Sequence, residues 1–102
     1  MDGVNCAGLE VEPSGLGGGW LRFWERADTT SSGVLVSRPA FAEFVREVRA
    51  GHLVPVAHGR LIVVTVGDAD PERPGRVVTT VDSWRAFVTR LYAGAFDRFC
   101  RM

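Results

Sequence analysis

Residues 34–54, VLVSRPAFAEFVREVRAGHLV, lie over residues 77–97, VVTTVDSWRAFVTRLYAGAFD, at an offset of 43 residues. Five positions are identical, Val34/Val77, Phe44/Phe87, Val45/Val88, Ala50/Ala93 and Gly51/Gly94, while Phe41 over Trp84 and Leu53 over Phe96 keep their character. Each matched position plays the same structural role in both copies, which sets the match apart from chance. A β-rich stretch ends at a hydroxyl residue, Ser37 or Thr80, placed to cap the helix that follows. Phe41, Phe44, Val45 and Val48 then recur at i, i+3, i+4 and i+7, as do Trp84, Phe87, Val88 and Leu91, so each helix has one stripe to bury. Arg38-Pro39 opens the first helix where proline's missing N–H costs little. Gly51 and Gly94 stand where a left-handed residue ends a helix, and Leu53 and Phe96 follow as the apolar residues that fold back over that end.

Upstream of each helix the pattern changes to period two or to β-branched runs. Strands are predicted at 9–12, 20–26 and 33–36, and again at 53–57, 60–66 and 76–80. His58-Gly59 reads as a tight hairpin turn, and 15–19 and 68–75 as longer loops. The unit is three strands and a helix, used twice. With connections this short it predicts an α+β fold, two β-β-β-α pseudo-repeats forming antiparallel sheet packed by two helices, not a doubly wound sheet.

At 102 residues the chain has room for one domain with a modest core, built from the repeats at 5–54 and 55–97 with a short extension at 98–102. Twelve basic and twelve acidic side chains cancel, which removes the broad electrostatic attraction behind most binding to nucleic acids and anionic membranes. All the basic residues are arginines, an echo of GC-rich coding rather than of function. Cys6 and Cys100 form neither a disulfide framework nor a zinc spacing, so a reduced, cytoplasmic setting is the expectation. The longest apolar run, within 61–66, falls far short of the ~20 residues of a membrane span, and the N-terminus lacks a secretory pattern.

Alternation along 20–26 puts Leu21 and Phe23 on one face and Trp20, Arg22, Trp24 and Arg26 on the other. The equivalent strand, 61–66, is apolar on both faces, as when neither side is solvated. Two helices cover one side of a six-stranded sheet, so the other side must be covered too. Either a second polypeptide does this, making Trp20, Arg22, Trp24, Arg26, Ile62 and Val64 a partner interface and the chain a homodimer, or the two repeats close on each other within one chain.

Catalytic chemistry finds no constellation, and no enzyme activity, cofactor or metal is expected. The glycines of 15–19 lead into a strand, whereas a phosphate cradle needs a helix N-terminus. Asp68, Asp70 and Glu72 lack calcium-loop spacing. His52 and His58 have no triad or ligand partners at suitable spacing, and neither cysteine lies in a setting that would lower its pKa. A second reading of the Trp/Arg face is a stacking platform for single-stranded nucleic acid, since aromatic and guanidinium groups stack unpaired bases. Zero net charge and the enrichment of Trp and Arg at protein interfaces favour the first reading.

Asn5-Cys6, Leu9-Glu10-Val11, the 20–26 strand, Gly33-Val34-Leu35-Val36-Ser37 and the helix closing at Arg49-Ala50-Gly51 together resemble domain of unknown function 397. This family of small actinobacterial proteins includes the BldB-like developmental regulators. The second copy, with Trp84-Arg85-Ala86-Phe87 and Ala93-Gly94-Ala95-Phe96-Asp97, is similar to the family's helix and its closing Gly-acidic-Phe-Asp. The chain departs from the family's frequent Arg-Asp-Ser after the second strand, having Glu25-Arg26-Ala27-Asp28 and Val66-Gly67-Asp68 there, and Ala7-Gly8 stands as an insertion. The resemblance implies a non-enzymatic regulator that homodimerises and pairs with a helix-turn-helix transcription factor of the Xre type, opposing its DNA binding, in development or in a toxin–antitoxin-like pair. No direct DNA binding is expected, because the chain's two helices are separated by strands.

Overall fold

The computed structural model describes residues 8–14, 19–28 and 33–100. It is an α+β fold in which each repeat supplies a three-stranded antiparallel meander and then a helix. The first repeat contributes β1 (Leu9–Pro13), β2 (Trp20–Glu25), β3 (Val34–Ser37) and α1 (Arg38–Arg49), and the second β4 (Val56–His58), β5 (Leu61–Gly67), β6 (Gly75–Thr80) and α2 (Val81–Tyr92). A further turn, α3 (Asp97–Cys100), closes the chain; the sequence pattern gave no sign of it beyond the apolar Phe96 and Phe99.

Both helices start and stop as their sequences dictate. The Ser37 side chain accepts a hydrogen bond from the Ala40 N–H at 3.3 Å and the Thr80 hydroxyl accepts one from Ser83 at 3.1 Å, caps that contribute about 1 kcal/mol each. At the other ends Gly51 and Gly94 take φ of 75° and 87°, where a Cβ is costly. Their geometry lets the His52 N–H reach the Glu47 carbonyl and the Ala95 N–H reach that of Arg90, satisfying carbonyls that would otherwise be orphaned. The first stripe, Phe41, Phe44, Val45 and Val48, is wholly buried. In the second, Phe87 and Leu91 are buried while Trp84 and Val88 are half-exposed.

The strands form two sheets, β1-β2-β3 and β4-β5-β6, rather than one sheet of six. The inner faces of both, with α1, α2 and α3, enclose one core. Phe23 sits edge-on to Phe44 and Phe87, with ring centroids 5.9 and 5.5 Å away, and Phe87 stacks on Phe96 at 4.7 Å, so both repeats contribute to a single aromatic cluster. Where the sheets meet, the β3 edge does not continue into a ladder. It crosses the β5–β6 hairpin so closely that a Cβ on Gly75 would lie 2.8 Å from the Val34 Cβ. There the Asp68 N–H donates to the Leu35 carbonyl at 3.2 Å, and the Asp68 carboxylate takes the Ser37 N–H and hydroxyl at 2.7 and 2.6 Å.

Candidate functional site

Burying one face of each sheet leaves two outward faces, and the pairing register makes them comparable. In the first sheet Arg22 pairs with Glu12 on one side and Leu35 on the other. In the second, Val63 occupies the equivalent place between Val56 and Val78. The same outward row of the same fold therefore reads Glu-Arg-Leu in one copy and Val-Val-Val in the other.

The first row has the chemistry of a solvated surface. The Arg22 guanidinium is 3.0 Å from the Glu12 carboxylate and lies 4.1 Å over the Trp24 ring, so its charge and its flat face are both engaged. Trp20 and Trp24 do lie on this outward face with Arg22, as alternation implies, and all three are half-buried. Arg26 falls just past β2 and pairs with Glu10 at 3.2 Å. The outward side of the β1-β2-β3 sheet thus interleaves guanidinium and carboxylate groups.

On the second sheet the inward and outward residues differ from the sequence expectation. Ile62 and Val64, assigned above to a partner interface, are 6% and 1% exposed and belong to the core. Their neighbours take the outward positions instead: Leu61 is 48% exposed, Val56 60% and Val78 44%, with Val63 half-buried between them. The reason is the register. Ile62 pairs with Thr79 and Val64 with Val77, the inward residues of β6, so Leu61 and Val63 must face outward. A run of Leu-Ile-Val-Val is apolar in both phases and cannot itself choose.

Beside this face the end of β2 comes up against β6 and forms a shallow concavity of about 190 Å³, lined by Leu61, Val78, Thr79, Thr80, Ala27, Asp28 and Glu25. Glu25 is 5% exposed. One carboxylate oxygen accepts from the Gly8 N–H at 2.7 Å and the Ala27 N–H at 2.9 Å, and the other accepts a short hydrogen bond from the Thr79 hydroxyl. Burial pushes the Glu25 carboxyl up, but bonds from Thr79, Ala27, Gly8 and Ser83 outweigh it and hold the pKa below the usual 4.5. Glu25 is thus an ionised group held by neutral donors, joining the two repeats across 54 residues. Sequence reasoning gave it no role. The signal was present in the alternation, which puts Glu25 in phase with Leu21 and Phe23.

The remaining candidates do not assemble into a site. Asp68 caps toward Ser37, whereas Asp70 accepts the Glu72 N–H within its own turn, so the three acidic residues do not converge. Among the described residues no group of three or more His, Cys, Asp or Glu side chains is placed to hold a metal. His52 is exposed beside Glu47, and His58 ends β4 just before the Gly59-Arg60 turn. Burial, with Asp97 nearby, pushes the Cys100 thiol up, the opposite of an activated nucleophile. Cys6 and the glycines at 15–18 lie outside the described residues. No described helix is long and apolar enough to cross a membrane. No family model, curated protein or solved structure matches the chain.

Proposed function

We propose that this chain is a non-enzymatic, cytoplasmic regulatory protein that works by binding another polypeptide, and that it docks through the outward face of the β4-β5-β6 sheet. One observation carries the reading: the row Val56, Val63, Val78 is aliphatic where its internal duplicate carries the Glu12–Arg22 ion pair. The duplicate serves as a control for what this position needs in water. Apolar clusters rimmed by polar residues are the usual centres of protein interfaces, depleted in charge. The resemblance to domain of unknown function 397 supplies the partner class, a helix-turn-helix transcription factor of the Xre type whose DNA binding the chain antagonises, in development or in a toxin–antitoxin-like pair. The same resemblance supports a homodimer.

The competing reading, a single-strand nucleic-acid platform on Trp20 and Trp24, is weakened by the arrangement of charge on that face. Arg22 is paired with Glu12 and Arg26 with Glu10, leaving carboxylates where a phosphate backbone would run. The test is affinity purification of the tagged chain from its native cell, followed by binding of the recovered partner to two variants. Val63→Asp is expected to abolish binding and Trp24→Ala to preserve it. The reverse pattern, or tryptophan quenching by single-stranded oligonucleotides at physiological salt, would overturn the assignment.

A further inference from the structure

The 43-residue repeat is kept in space where the two helices end. Arg49 donates to the Leu91 carbonyl at 3.1 Å, and its equivalent Tyr92 donates to the carbonyl of Val48, the equivalent of Leu91, at 3.4 Å. Such reciprocal bonds mark a pseudo-two-fold relation between α1 and α2, so what lies on one can be compared with what lies on the other. The comparison breaks at one place. α3 packs on α1: Phe99 sits edge-on to Phe41 at 6.4 Å, Asp97 pairs with Arg49 at 3.0 Å, and Cys100 lines a groove with Ala42 and Val45. Phe41, Ala42 and Val45 are all buried.

The residues equivalent to α3 are 54–57, and they run into β4 instead, so no described helix does for α2 what α3 does for α1. Trp84 and Val88 are left half-exposed, and Arg85, in the place of Ala42, is exposed and in no ion pair with any described residue. Where Arg49 and Asp97 form an ion pair, the equivalents are Tyr92, 58% exposed, and Val54, 81% exposed. We infer that the ridge Trp84, Val88, Tyr92 is a second docking surface, separate from the β4-β5-β6 face, and that it receives an amphipathic helix of another protein in the way α1 receives α3. These residues are spaced i, i+4, i+8, a row that packs into the grooves of a facing helix.

The chain's own α3 states the chemistry of the occupant. Leu53, the equivalent of Phe96, is already packed against the core, so the missing group is an aromatic ring set against Trp84 as Phe99 is set against Phe41. In the groove on α1 the residue after that ring, Cys100, lies with Ala42. Arg85 stands in Ala42's place, so the partner residue after the ring is a carboxylate that pairs with it. A second copy cannot supply the segment, because its α3 is held on its own α1 by Asp97 and Phe99. The ridge is roughly 12 Å long, room for a single helix of two to three turns. One aromatic anchor of about 150–250 Å² and its surroundings stay well below the roughly 800 Å² per partner of stable complexes, which sets the dissociation constant between roughly 10 µM and 1 mM.

The probes are lactam-bridged helical peptides of about 14 residues, since an unconstrained helix of that length is marginal in water. Three differ only at the centre, carrying Phe-Glu, Phe-Lys or Ala-Glu, and are titrated with the full chain by fluorescence anisotropy up to about 1 mM. Phe-Glu is expected to bind, Phe-Lys about fivefold more weakly and Ala-Glu at least about tenfold more weakly. Arg85→Glu, a change at an exposed position, should invert the order of Phe-Glu and Phe-Lys while leaving the thermal midpoint nearly unchanged. Amide shift changes in the labelled chain should centre on α2 and the Trp84 indole. No saturable binding of any peptide, or an order that Arg85→Glu does not invert, overturns the inference. Val63→Asp should leave peptide binding intact. If it abolishes binding, or the shift changes centre on β5 and β6, the peptide sits on the sheet face, and the ridge fails while the sheet reading stands. A partner recovered from the cell whose binding survives Val63→Asp but falls with Arg85→Glu supports the ridge and removes the sheet face.

Discussion

Replacing Glu25 by Gln tests whether a single buried carboxylate holds the two repeats together. The side chain accepts hydrogen bonds from the Gly8 and Ala27 amides and the Thr79 hydroxyl, with Ser83 also favouring the charge, and no cation among the described residues is paired with it. Hydrogen bonds to a charged acceptor contribute about 1.5–3 kcal/mol each. An amide keeps one acceptor oxygen for the two backbone N–H groups, while its NH2 must face Thr79, whose hydroxyl turns round to accept. The loss is therefore one charge-assisted bond and the weakening of two others, about 2–3 kcal/mol at pH 7. For a domain of this size that lowers Tm by roughly 10–20 °C. The cost also depends on pH, and its sign is fixed. Because the folded pKa lies below 4.5, ionised Glu25 stabilises the protein fully above that value, and the contribution disappears as pH falls through the folded pKa. Urea unfolding followed by tryptophan fluorescence, at neutral pH and again well below 4.5, should show wild type losing stability relative to E25Q as acid is added. A gap under about 0.5 kcal/mol at neutral pH, or one that does not narrow in acid, would refute this account of the clasp.

Three further perturbations probe the frame around it. Thr79→Val removes the hydroxyl donor and should cost about 1–2 kcal/mol, and less in the E25Q background, where the hydroxyl serves a neutral amide instead of a carboxylate, a coupling that a double-mutant cycle in urea would measure. Gly75→Ala pushes a methyl against Val34, where the present clearance is 2.8 Å, and should destabilise by about 1–3 kcal/mol with loss of thermal midpoint. Gly51→Ala meets nothing within 4 Å, so its cost should be conformational alone, about 1 kcal/mol from the φ of 75°, and Gly51→Asn should recover much of it in the same thermal assay.

Much of this architecture could be read from the residues because its signals are local. The Ser37 and Thr80 caps, the Phe41-Phe44-Val45-Val48 stripe and the Gly51 and Gly94 stops each lie within one helical turn of what they control. The 43-residue repeat made each half corroborate the other. Sequence also placed Trp20, Arg22 and Trp24 together on one face, since polar and apolar residues alternate clearly there. It lost the phase in β5, where Leu61 and Val63 are as apolar as Ile62 and Val64, and so put the wrong pair on the surface.

By itself, then, the chain determined its duplicated β-β-β-α order, its helix boundaries and a surplus of aliphatic strand residues. Only the tertiary structure decided that the meanders form two sheets around a shared aromatic core. It alone exposed Val56, Leu61, Val63 and Val78 rather than their neighbours, and tied Glu25 to Thr79. The physical reason is distance along the chain. Periodicity and capping act over a few residues, whereas the choice between two equally greasy faces is made by what packs against them, and here that partner lies half the sequence away.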